Sequence, residues 1–288
     1  MTRRGLAATG IAASIVIVAL LAIWLVATSA LHGSALPIAP DAWTSSSSIH
    51  SDLLGRDMPV EAFVPEGAPS TALLILFHGR GGGAHDWMEG FLGNGVHIDD
   101  TAHRLIGDKM IRPVSIVSVS IDSSYGVDSG PADDGYSHGP YGAYIETELL
   151  PSVIERWGQG LPVYVGGLSM GGYVALRLAL AQPDGFAGVA ALSPAFWVKP
   201  PSDRTWMYQG AGGDPIALAG DGAADHLALF LGYGRSDYDW IKAATDRLSQ
   251  TLAARGLPVQ PVIVPGGHET STWHALTEPM LMALFGSS

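Results

Sequence analysis

Short apolar runs, separated by polar or glycine- and proline-rich stretches, recur from about residue 59 onward, with longer segments of helical apolar period between them. The runs predict strands near 59–64, 72–77, 114–121, 162–166, 187–192, 226–231 and 260–264, and the periodic segments predict helices at 141–157, 170–181 and 239–255. Leu73 to Phe77 reads LLILF without a polar break, which suits a strand buried on both faces of a parallel sheet. In the 141–157 segment Ile145, Leu149, Val153 and Trp157 form one stripe at four-residue spacing. Pro151 is expected to kink that helix or to end its first half. Strands alternating with helices predict an α/β fold with a mostly parallel central sheet and helices on both faces. Residues 199–224, rich in Gly, Pro and Asp and without period, are expected to be a cap or loop insertion over a site.

One segment departs from this pattern. Arg3 and Arg4 precede a stretch from Gly5 to Pro40 without Asp, Glu, Lys or Arg, whose centre, Ile11 to Ala27, is apolar all round. With its flanks it is long enough to cross the roughly 30 Å of a bilayer's hydrocarbon core. The positive flank predicts that the amino end stays cytoplasmic and the rest is exported. Small residues at Thr28, Ala30, Gly33 and Ala35 leave a cleaved signal peptide open beside a membrane anchor. Residues 1–35 are therefore set apart as an N-terminal apolar helix preceding the fold, and 36–288 are expected to be one catalytic domain. Ser45 to Ser48 read as a linker tail.

Charge and composition remove several function classes. Lys and Arg number 15 against 27 Asp and Glu, a formal net charge of −12, and no basic stripe is present, so nucleic acid is not expected as a partner. The absence of cysteine excludes a thiolate nucleophile, disulfides and a thiolate-bound metal. No cofactor is expected.

The chemistry concentrates in GGLSMGG, Gly166 to Gly172, which follows a predicted strand and opens a predicted helix. A serine on such a strained turn needs small neighbours, and the helix start aims amides and a positive dipole at it. Ser169 is therefore the candidate nucleophile. A serine hydroxyl needs a histidine base oriented by a carboxylate. His268, in VPGGHETSTW after the last predicted strand, is the candidate base, with His274 as rival one turn into a following helix. Asp237, at a strand's carboxyl end, is the candidate acid, while Asp239 is expected to cap a helix from Trp240. The oxyanion would be met by the Met170 amide and by the Arg80 or Gly81 amide of FHGRGGGAHDW, Phe77 to Trp87. His78 is expected to be structural.

Other polar clusters carry less. His97, Asp99, Asp100 and His103 have a spacing that could take a divalent metal, but Asp99 or Asp100 is expected to cap a helix running to Lys109. Asp122, Asp128, Asp133 and Asp134 are expected in a solvated loop bordering the site. Trp87, Phe196, Trp197 and Trp206 suit either a substrate pocket or the core.

These residues resemble the "putative esterase", or esterase D-like, family of the α/β-hydrolase superfamily, which includes feruloyl esterases, S-formylglutathione hydrolases, enterochelin esterases and secreted mycolyltransferases. The resemblance rests on the HG turn at 78–83, YIETELLPSVIERW at 144–157, GLSMGGYVALRLALAQPDGFAGVAALSPAFW at 167–197 and GLPVQPVIVPGGHETSTW at 256–273. It implies an α/β-hydrolase fold, a Ser169, His268 and Asp237 triad and the Met170 amide as oxyanion donor. The expected function is an exported serine esterase acting through an acyl-enzyme on a small-molecule, lipid or sugar ester, attached to the membrane by its N-terminal segment or secreted. An envelope acyltransferase using the same intermediate, and a non-catalytic envelope-binding module, are the alternatives. The 199–224 stretch and the missing cysteine depart from the family's pattern.

Overall fold

The computed structural model describes residues 44–90, 93–128, 135–208 and 213–287, and residues 42–288 form one unit. The apolar run of residues 5–40 lies outside the described residues. Among the described residues no helix is long and apolar enough to cross a membrane.

Eight strands make one sheet: β1 (Thr44–Ser51), β2 (Arg56–Phe63), β3 (Leu73–Phe77), β4 (Ser115–Val119), β5 (Val163–Leu168), β6 (Gly188–Leu192), β7 (Ala228–Gly234) and β8 (Val262–Val264). Their spatial order is β1-β2-β4-β3-β5-β6-β7-β8. β2 runs antiparallel to both β1 and β4, and every other neighbouring pair is parallel. The alternation of a strand's side chains explains LLILF. Leu73, Ile75 and Phe77 enter one core and Leu74 and Leu76 the other, all fully buried.

Helices α1 (Ile98–Gly107), α2 (Tyr141–Tyr144), α3 (Leu150–Trp157), α4 (Met170–Ala181), α5 (Pro215–Gly220) and α6 (Asp239–Ala254) lie between strands, and α7 (Thr270–Phe285) follows β8. Residues of α2 to α6 fill the first core, and residues of α1 and α7 fill the second. This is the mostly parallel, doubly covered α/β sheet that the alternation predicts.

Several expectations are corrected. Residues 45–48 are not a linker but part of β1, paired along its whole length with β2. Pro151 stands in the first turn of α3, just past an interruption of the regular helix, as the sequence reading expects. Between α2 and α3 the residues Ile145–Leu149 form a wide π turn, closed by the Leu150 N–H donating to the Ile145 carbonyl. The stripe explains the turn, because four residues on an α-helix rotate about 40° past a full revolution. A wider turn takes up that excess, and Ile145, Leu149 and Val153 are all fully buried. Neither Asp99 nor Asp100 caps α1. His97 holds the cap position at φ 54°, and both carboxylates lie in the first turn. Asp239 is the first residue of α6 rather than its cap, which is Tyr238. Residues 199–224 carry a 3₁₀ helix, Ser202–Tyr208, and α5, with Trp206 and Met207 buried.

Candidate active site

Ser169 is placed by backbone geometry alone. Strand β5 ends at Leu168 and α4 begins at Met170, so Ser169 is the whole turn, at φ 53° and ψ −117°. That conformation costs a non-glycine residue about 1–3 kcal/mol, and it persists only where the surroundings enforce it. Here the Ser169 N–H donates to the Leu192 carbonyl at 2.8 Å, and the Ser169 carbonyl accepts from the Ala195 N–H at 2.8 Å and the Tyr173 N–H at 3.2 Å. The flanking glycines are steric necessities. A Cβ on Gly167 would lie 2.2 Å from the Gly171 backbone, and one on Gly171 would lie 2.1 Å from the Phe77 carbonyl oxygen.

The structure brings the three sequence-selected side chains together from the ends of β5, β7 and β8. The Ser169 hydroxyl meets His268 Nε2 at 2.8 Å, and His268 Nδ1 meets Asp237 Oδ1 at 2.9 Å. Since a carboxylate can only accept, Nδ1 carries the proton and Nε2 faces the serine as an acceptor. The loops bearing acid and base are tied to each other, because Arg235 N–H donates to the Val264 carbonyl and Ser236 N–H to the Gly266 carbonyl, each at 2.8 Å. Gly266, at φ 108°, turns the chain toward His268, and Glu269 Oε1 accepts the Gly267 N–H at 3.0 Å. The imidazole lies between Tyr238 and Trp273, with ring centroids 5.2 and 5.1 Å away. His274, the rival base, is instead bonded to the Val96 carbonyl at 2.7 Å.

Asp237 is almost fully buried, and burial pushes its carboxyl up. Hydrogen bonds from His268 and the Tyr238 N–H, with the Ser193 hydroxyl close by, outweigh burial and hold it below the ordinary carboxylate value. Neither Asp237 Oδ2 nor Ser193 Oγ makes a bond of ordinary geometry among the described residues, so Ser193 acts by proximity. Ser193, at φ 48°, was not legible in the sequence, where only its place after β6 hints at a site.

Of the oxyanion candidates, Met170 opens α4, where the first amides have no intrahelical acceptor. The Gly81 N–H is committed to Ser123 Oγ at 3.0 Å. The Arg80 amide has no such bond among the described residues. Gly79 brings this turn against the serine, since a Cβ there would lie 2.9 Å from Leu168 Cδ1. His78 is structural. Its Nδ1 donates to the Gly79 carbonyl at 2.7 Å and its Nε2 accepts the Ile121 N–H at 3.1 Å, a pairing open only to the neutral ring. Burial pushes its pKa down, in keeping with that form.

A cleft of about 640 Å³ opens over Ser169 and His268. Trp197 lines it, stacked on Trp240 at 4.3 Å between centroids. Trp206 packs behind it against Tyr125 and Tyr136, while Trp87 and Phe196 belong to the core. Tyr136 and Arg204, both lining the cleft, were not singled out from the sequence. Asp122 is paired with Arg56 and Tyr141 and Asp128 holds the Ala143 N–H, so these two carboxylates brace the bordering loop. Among the described residues no three His, Asp or Glu side chains converge as metal ligands, His97 to His103 included.

The family described as "Putative esterase" matches residues 51–284. An acetyl esterase of Caldicellulosiruptor saccharolyticus is 26% identical over 160 residues, 51% of this chain and 54% of that protein, so the chain spans about half the length of this curated relative. Among solved structures, a ferulic acid esterase aligns with a TM-score of 0.68 at 20% identity, covering 84% of this chain and 97% of that one. An S-formylglutathione hydrolase from Staphylococcus aureus aligns with a TM-score of 0.62 at 20% identity, covering 83% of this chain and 98% of the other. At those identities the likeness is one of fold.

Proposed function

The chain belongs to the family described as "Putative esterase", and from that premise we propose that it is a carboxylic ester hydrolase in which Ser169, His268 and Asp237 perform the hydrolysis through an acyl-enzyme. The observation that carries the reading is the hydrogen-bonded line from Ser169 Oγ through His268 to Asp237, at 2.8 and 2.9 Å. Ser169 Oγ attacks the ester carbonyl carbon while its proton passes to His268 Nε2. The buried Asp237, held charged, stabilises the imidazolium that forms. The oxyanion forms beside the Met170 and Arg80 amides, where donors fixed beforehand need no reorganisation. Collapse of the tetrahedral species breaks the bond to the alcohol oxygen, which takes the proton from His268. Water, deprotonated at Nε2, then attacks the acyl-enzyme and releases the acid and Ser169.

The substrates proposed are small-molecule esters, in keeping with the acetyl and feruloyl esters that the relatives' names indicate. The apolar run after Arg3 and Arg4 supports export of the catalytic domain as a separate proposal, which fractionation of the expressed full chain would test. Recovery in the cytoplasm alone would end it.

The triad reading is tested by fluorophosphonate labelling with Ser169→Ala in parallel, followed by a p-nitrophenyl ester series from acetate to palmitate. Labelling and turnover lost together in a variant with unchanged melting temperature are expected. Turnover retained by that variant would overturn the reading.

A further inference from the structure

The chain carries a net charge of −12, yet its cleft is provided with cations. Arg80 and Arg204 both line it and both face the same ring, with guanidinium carbons 5.4 and 5.0 Å from the Tyr136 centroid. Two guanidiniums on one aromatic ring repel each other, and the arrangement leaves their remaining N–H donors for other acceptors. Among the described residues Arg204 is paired only with its neighbour Asp203, a carboxylate two-thirds exposed at 3.0 Å, and such a contact is screened and weak. Arg80 has no carboxylate partner among the described residues. The acidic side chain that does line the cleft, Asp86, is occupied by His85 at 3.2 Å and by the Gly83 N–H at 3.2 Å. Both arginines therefore line the cleft beside Ser169 without a buried counter-ion among the described residues, Arg204 half-buried and Arg80 exposed.

Resting on the esterase reading above, we infer that the enzyme acts on esters carrying an anionic group, a carboxylate or an acid of similar size, which Arg80 and Arg204 receive across Tyr136 while Ser169 attacks the ester. Guanidiniums suit this role because their forked donors match a carboxylate's two oxygens. Binding of the anion also relieves the repulsion between them. The apolar remainder of the ester has Trp197 and Trp240 to lie against.

The test compares ester pairs that differ only in charge. For an anion on the alcohol side the pair is 4-acetoxybenzoate and its methyl ester. For one on the acyl side it is the p-nitrophenyl half-ester of adipic acid and p-nitrophenyl hexanoate. The full chain is expected to favour the anionic member of at least one pair by about tenfold in kcat/KM, with that preference shrinking as ionic strength rises. Arg204→Gln should bring the ratio toward unity while turnover of the neutral ester persists, and Arg80→Gln, whose amide also serves the oxyanion, should do the same in the ratio alone, with an unchanged melting temperature reporting that it is folded. Equal kcat/KM within both pairs, or a preference that survives the double substitution, would overturn the inference and leave the esterase reading intact. Failure to hydrolyse any of the four esters would instead count against the esterase reading itself.

Discussion

The floor of the cleft and its mouth are built on different principles. At the floor, Ser169, Asp237 and His268 sit one to four residues past the ends of strands, and backbone hydrogen bonds and glycine contacts fix each of them. At the mouth, Arg80, Tyr136, Trp197 and Arg204 are placed by side chains resting on side chains, through stacking and cation–aromatic contacts. Backbone placement tolerates almost no substitution, whereas side-chain placement can be exchanged piece by piece. On the function proposed above, the reaction belongs to the first region and the choice of ester to the second.

The sharpest way to break this contrast is a floor residue whose loss leaves the fold alone. Asp237→Asn should lower kcat on the order of 10³- to 10⁴-fold at an unchanged melting temperature, because the amide disfavours the Nδ1-protonated imidazole. A loss below about tenfold would mean that the acid does not orient His268. Gly171→Ala is the next test, since the added methyl meets the Phe77 carbonyl and must displace the turn. About a 100-fold fall in kcat is expected, with a lowered melting temperature. At the mouth, Trp197→Ala should raise KM for aromatic esters by about tenfold or less and leave kcat within a few-fold, the loss of a stacked pair being worth about 0.5–1.5 kcal/mol. A kcat effect as large as that of Gly171→Ala would erase the distinction between the regions.

The smallest effect concerns acid stability. Neutral His78 joins the ends of β3 and β4, and its pKa is lowered in the fold. As pH falls below the unfolded value of 6.5, the unfolded chain takes up a proton that the folded chain resists, so stability declines through that window. His78→Gln should lose part of the decline in melting temperature between about pH 6.5 and 5, which calorimetry across that range would measure. An identical slope in the variant would show that the acid sensitivity arises elsewhere.

The same contrast explains what the sequence made legible. β3 and β5 are buried on both faces and so are written as unbroken apolar runs. Gly167 and Gly171, which bracket Ser169, are dictated by contacts too close for any side chain. β1 escaped notice because it is an edge strand, and TSSSSIHS is half exposed and held by pairing with β2 rather than by apolar burial. Arg204 and Tyr136 left no local signal either, since neither sits in a motif and they meet only through the fold. Gly81 and Arg80 could not be told apart without Ser123, 42 residues away, whose hydroxyl occupies one of the two amides.

The serine and its base are 99 residues apart in the chain, and the acid precedes the base by 31. A polypeptide made from its amino end therefore completes the strained turn and the helix behind Ser169 well before His268 exists. Until β8 docks and the Gly266 turn closes, that hydroxyl is an ordinary alcohol. On the proposed mechanism the chain thus stays inert through most of its own synthesis, and onset of ester cleavage would time the last step of its assembly.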